Sequence, residues 1–229
     1  MAQTQITQEM IDSHLADVLH HGEPKDVFFY LRFVENPNVP LVNPRFNTER
    51  LPVWSVMSGE HMHVNTAALL KLHPDVNVRN ESGQNPAMKA FEKKHAGLGL
   101  MFLRAGTDLT ARDSNGSGLL KYVVDAGYPD AVQEAIHIGL DVNQTNIEQT
   151  LDANGAVVGR YVSGALAWAF ANENWDVLKV LVENGIDRSP ENPAVRQAMK
   201  VAESYAQISP LLRAELGAEK YKATLKAAK

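Results

Sequence analysis

A chain of 229 residues with 45% apolar and 21% charged side chains has the composition of a core-forming protein, not of a disordered or fibrous one. Its formal charge of -5, from 22 basic and 27 acidic residues, argues against nucleic acid as a partner, since phosphate binding needs a concentrated basic face. The absence of cysteine excludes disulfides, thiolate metal sites and cysteine nucleophiles.

No apolar run approaches the roughly 18 residues of a membrane span. The opening MAQTQITQEMIDSH has neither the basic start nor the apolar core of a secretory leader. A cytoplasmic protein is expected, with export by a leaderless route as the open alternative.

Residues 6–43 read as two capping helices. The segment TQEMIDSHLADVLHHG has a start like a capping box at Thr7 or Gln8, and His20 and His21 fall at a helix end, where a cation suits the dipole. From there the chain keeps a beat. Asp75, Asp108 and Asp141 are spaced by 33 residues; Asn38 lies 37 before Asp75, and Asp187 lies 46 after Asp141. Five positions beyond the first four stand the turn-formers Asn43, Asn80, Asp113 and Asn146.

Between the turns the periodicity is that of paired short helices. Pro86 suits a first helical position, Ala87, Ala90 and Phe91 form one apolar stripe, and Leu98, Met101 and Phe102 a second. Gly97 and Gly99 fall near the break between them, and Gly106 supplies the left-handed stop. The next pair runs Leu119, Leu120, Val123, Val124, breaks at Gly127, continues Ala131, Val132, Ala135, Ile136 and stops at Gly139. A third runs Ala165, Leu166, Ala169, Phe170, then Val177, Leu178, Leu181, Val182, to Gly185, and a looser one spans residues 51–75.

The long spacing before Asp187 implies 13 extra residues within 146–164. Two β-prone runs flank DANG (152–155), and Asn154-Gly155 is a strong hairpin signal, so a β-hairpin is expected over 147–162, with a plain long loop as the alternative. NPAVRQAMKVAESYAQ (192–207) reads as the first helix of a final partial unit, followed by an amphipathic tail helix.

A turn and two short helices per 33 residues resembles the ankyrin repeat. NPAM (85–88) and LPVW (51–54) keep the family's Pro, GLLK (118–121) and GALA (164–167) its Leu, and VLVENGID (180–187) its second-helix ending. The family's His is replaced by Trp54, Met88, Lys121 and Ala167, which removes a turn-bracing hydrogen bond. The resemblance implies an all-α, ankyrin-type α-solenoid over the single domain 1–229. Caps fall at 6–43 and 191–229, and repeats at 44–80, 81–113, 114–146 and 147–190, the last carrying the hairpin.

Nothing in the motifs points to chemistry. GxxxxGK, GxSxG, HExxH and DxDxDG are all missing. His61 and His63, two apart, diverge on a helix and make a poor metal pair. Glu81, Glu92, Asp125 and Glu173 are scattered one per unit rather than paired. The expectation is a non-enzyme with no cofactor and no metal.

In the ankyrin family, partners dock on turn tips and first-helix ends. Carried over, the resemblance implies contacts at Arg45, Arg50, Glu81, Ser82, Gln84, Ser114, Asn115 and Ser117 on the tips. It adds Glu92, Lys93, Asp125, Asn172 and Glu173 at helix ends, and Gln149, Asp152, Asn154, Arg160 and Tyr161 on the hairpin. Of the three tryptophans, Trp54 is read as core and Trp175 as packing at a helix junction; Trp168 falls either at the core edge or on the concave surface, and is the first choice for a contact hot spot.

The functional expectation is a protein–protein interaction module that binds one partner protein and sequesters or inhibits it, as immunity proteins do. The partner is expected to present a basic patch, given the acidic tips. Neither membrane nor nucleic acid is expected, and the free protein is expected to be monomeric. The alternatives are an adaptor or effector capturing a host protein, and an enzyme with an unrecognised site.

Overall fold

The structure, a computed structural model, describes residues 8–43, 48–57, 59–189 and 191–208. Contacts gather into two compact units, Met1–Asp108 and Leu109–Lys229.

The first unit begins with α1 (Gln8–His21), α2 (Pro24–Tyr30) and a 3-10 turn (Leu31–Phe33). Strands β1 (Leu41–Asn43) and β2 (Thr48–Arg50) pair antiparallel, Leu41 opposite Arg50. Then come α3 (Pro52–Ser55), α4 (Met62–Leu70), α5 (Pro86–Glu92) and α6 (Ala96–Arg104). Leu15 and Leu19 bury one face of α1 against α2, α3 and β1. Asn85 caps α5, its side-chain oxygen accepting the Met88 N–H at 2.9 Å, while Pro86 takes the first position, where no N–H is needed. Gly97 and Gly99 lie inside α6 rather than at the break. Gly99 is where α5 and α6 close on each other: a Cβ there would stand 2.6 Å from the Phe91 ring.

The second unit holds α7 (Leu119–Ala126), α8 (Pro129–Ile138), the hairpin β3 (Thr145–Leu151) and β4 (Val157–Gly164), then α9 (Ala165–Ala171), α10 (Trp175–Glu183) and α11 (Pro193–Ile208). Helix α7 packs on α9, α8 on α10, and α11 covers α9 and the base of β4. Leu119, Leu120, Val123, Val132, Val177 and Leu181 form the core between them.

The beat in the sequence has a structural cause. In the first unit the Asp75 N–H donates to Asn38 Oδ1, Asp75 Oδ1 accepts from Asn77 N–H, and Asn77 Oδ1 accepts from Asp108 N–H, all at 2.6–2.8 Å. The second unit repeats the device. Asp141 Oδ1 accepts from Asn143 N–H at 2.9 Å, and Asn143 Oδ1 accepts from Asp187 N–H at 2.7 Å. Each Asp-x-Asn thus folds its own turn and anchors the backbone of the next.

Helices α5, α7 and α9, the first of their pairs, end at a left-handed residue. Lys94, Gly127 and Glu173 all have positive φ, of 61°, 86° and 53°. His95 N–H reaches Ala90 O and Asn174 N–H reaches Ala169 O, the six-to-one closure of a Schellman end.

The expectation of an all-α solenoid is overturned. The chain is about half helical and carries two two-stranded antiparallel sheets among its described residues, so its class is mixed α and β. Part of residues 41–50, expected as a repeat boundary, forms a strand pair, and the hairpin spans 145–164 rather than 147–162. A single stack of repeats is not shown. The expected tail helix, in residues 209–229, lies outside the described residues, as do Thr7 and Arg45.

Candidate interaction surface

Three turns present the same backbone. In residues 80–84 the Asn80 N–H donates to Gln84 O and the Gly83 N–H to Asn80 O, at 3.0 and 2.9 Å. In 113–117 Asp113 donates to Ser117 O and receives Gly116, both at 3.0 Å; in 152–156 Asp152 donates to Ala156 O and receives Gly155, at 2.9 and 3.0 Å. Each time the first residue's side-chain oxygen also accepts the N–H groups two and four positions on. A short acceptor side chain at position one and Gly at position four meet the geometry.

The third such turn is therefore at Asp152, and Asn146, expected to begin it, does something else. It is 2% exposed, and its Oδ1 takes the Gly118 N–H at 3.0 Å and Arg112 Nη1 at 3.1 Å. Arg112 bridges Gly118 across its short turn as Thr145 pairs with Gly164 across the long one. The 13 additional residues lengthen the two strands and carry the same turn outward.

At the base of this arm a polar chain runs across α7 and α9. Trp168 Nε1 donates to Ser163 Oγ at 2.9 Å, and Ser163 Oγ donates to Glu148 Oε1 at 3.0 Å. Lys121 Nζ lies 5.6 Å from the Trp168 ring centroid, within cation–π range, and pairs with Asp125 at 2.6 Å. Asp125 also accepts from Asn172 Nδ2 at 2.9 Å.

Of the expected contact residues in the second unit, Ser114, Asn115, Asp125, Gln149, Asp152, Asn154, Arg160, Tyr161, Asn172 and Glu173 are exposed, and Ser117 is half-buried. Trp168 is not a surface hot spot. At 6% exposure, with its N–H satisfied inside the chain, it offers a partner almost no area. In the first unit Glu81, Ser82, Glu92 and Lys93 are exposed. Gln84 is not a surface contact either: 3% exposed, it receives Asn80 Nδ2 and donates to Glu92, bracing the turn against α5. Lys89, through its hydrogen bond, holds the Glu92 carboxyl below its usual value. Arg50 ends β2, and its side chain lies outside what is described.

Sequence reasoning missed the arm's apolar side chains. Ile147, Val157 and Val158 are 65%, 49% and 63% exposed. Alternation in β3 was the available signal, because Ile147 shares a face with its cross-strand neighbour Val162. Lys121 was missed as well; its place one turn before Asp125 on one helix carried the pairing.

Elsewhere, His61 faces Glu23 at 3.5 Å while His63 lies beside Gly97. No cluster of three or more His, Asp or Glu suited to a metal occurs among the described residues. No described helix is long and apolar enough to cross a membrane. No family model matches this chain, and no curated protein matches it in sequence.

Proposed function

We propose that this chain is a protein-binding module that engages one partner through its β-hairpin and tip turns, and that sequesters or inhibits it in the cytoplasm. The observation that carries the reading is the arm itself. Isolated two-stranded hairpins are marginal in water, yet this one holds Ile147, Val157 and Val158 in solvent beyond any need of the core. Exposed apolar side chains rimmed by polar ones are a signature of association surfaces. The local resemblance of the helix pairs to ankyrin repeats points the same way. Acidic groups at Glu148, Asp152, Asp125 and Glu173 favour a partner with a basic patch.

The test is affinity purification of the tagged full chain from its native cells. One stoichiometric protein is expected, retained by the wild type and lost from Ile147→Asp/Val158→Asp with the circular dichroism unchanged. Recovery of no stoichiometric protein, or retention of it by the double variant, overturns the reading.

A further inference from the structure

We infer that the outer edge of β3 accepts a strand of the partner protein: an extended segment with apolar residues alternating with basic ones, added to the hairpin as a third strand. The inference rests on the protein-binding reading above and specifies how the arm would be used.

The hydrogen-bonding register identifies the open edge. In an antiparallel pair, alternate residues turn both N–H and C=O away from the partner strand. The Thr145 carbonyl turns outward, accepting Arg112 Nη2 at 2.9 Å, while the Asp152 N–H turns inward to Ala156 O at 2.9 Å. The two ends agree in parity, so Ile147 and Gln149 turn their backbone groups outward. Arg112 guards the base of this edge, the way native sheets blunt an edge with charge. Beyond it no such guard stands among the described residues.

The β4 edge is a poorer template. Its base is covered by α11, and the register slips between Thr150 and Leu151, where Val157 and Gly159 bracket an extra residue. Such a bulge twists a strand away from further pairing.

The side chains define the occupant. Ile147 offers an apolar cross-strand site on one face, and Glu148 a carboxylate on the other, with no ion pair to it among the described residues. Opposite charges directly across a strand pair attract and like charges repel. A second copy of this chain fits badly: an antiparallel β3–β3 pairing centred on the strand sets Glu148 against Glu148. A basic, alternating strand from another protein satisfies both faces.

The test uses two fluorescent synthetic peptides, Val-Lys-Val-Lys-Val-Thr and Val-Glu-Val-Glu-Val-Thr, titrated into the full chain by anisotropy, with amide hydrogen exchange as the second readout. The lysine peptide is expected to bind and to slow exchange at Ile147 and Gln149, and the glutamate peptide to bind about tenfold more weakly. Gln149→Pro removes an outward N–H that the hairpin does not use, and is expected to weaken the lysine peptide by about tenfold. Exchange at Glu148 and Thr150 checks that the variant's ladder is intact. Glu148→Gln keeps an acceptor for Ser163 and is expected to abolish the preference between peptides.

No binding by the lysine peptide, protection located elsewhere, or dimerisation that protects Ile147 and Gln149 without peptide overturns the inference. A purified natural partner that Gln149→Pro binds normally but Ile147→Asp/Val158→Asp does not would sink strand addition alone and leave the protein-binding reading standing.

Discussion

Trp168 shows how much a single side chain's role depends on what lies opposite it. Its place on an apolar helix was legible in the sequence, but whether it faced solvent was not, because that depends on Ser163 and Glu148 arriving from the hairpin. Removing the Ser163 hydroxyl leaves a buried indole N–H without its acceptor. Ser163→Ala is therefore expected to cost about 1–3 kcal/mol, read as a lower urea midpoint with unchanged slope. An unchanged midpoint would show that water replaces the hydroxyl. Glu92 allows a second residue-scale test. Its native carboxyl is held low, so the stabilisation it gives is full above its ordinary value of 4.5 and is lost as pH falls through the lowered native value. Lys89→Ala should return that carboxyl upward in an NMR titration. The stability gap to wild type, small for so exposed a pair, should close at acid pH.

Elements were legible where local chemistry decides them. Pro86, the glycine stops and the Asn154-Gly155 turn each impose a backbone shape of their own, and each stands where expected. The strands β1 and β2 were not legible, because three residues apiece are too few for alternation to register. The first-helix ends were only partly so. Gly127 announces its left-handed turn, whereas Lys94 and Glu173 adopt the same φ without glycine. That conformation costs a non-glycine residue roughly 1–2 kcal/mol, against roughly 0.5–1 for glycine's extra chain entropy. Glu173→Gly is thus expected to stabilise by about 0.5 kcal/mol, visible as a raised melting temperature. A lowered one would mean that the Glu173 side chain contributes more than its strain costs. The opposite exchange holds inside α6. Gly99→Ala improves helix propensity by about 1 kcal/mol, but the new methyl meets the Phe91 ring, and overpacking costs typically 1–3 kcal/mol. Net destabilisation is expected.

At the scale of the molecule, a period announces neighbouring units but not how far their contacts carry. The Asp-x-Asn links account for the steps from Asp75 to Asp108 and from Asp141 to Asp187, since each uses one side chain and one backbone N–H a repeat apart. Nothing in that spacing says where packing density falls, and the contacts divide after Asp108, in the middle of a run that looks continuous in sequence. If each unit opens as its own cooperative block, native-state hydrogen exchange should separate two sets of amides with different free energies. Gly99→Ala would then lower protection in α5 and α6 and leave β3, β4 and α9 unchanged, while Ser163→Ala would do the reverse. The pair of variants is decisive because their sites fall in different units, at Phe91 and at Trp168. A shared loss of protection in either variant would make the protein one cooperative block, with the division in its contacts carrying no division in its stability.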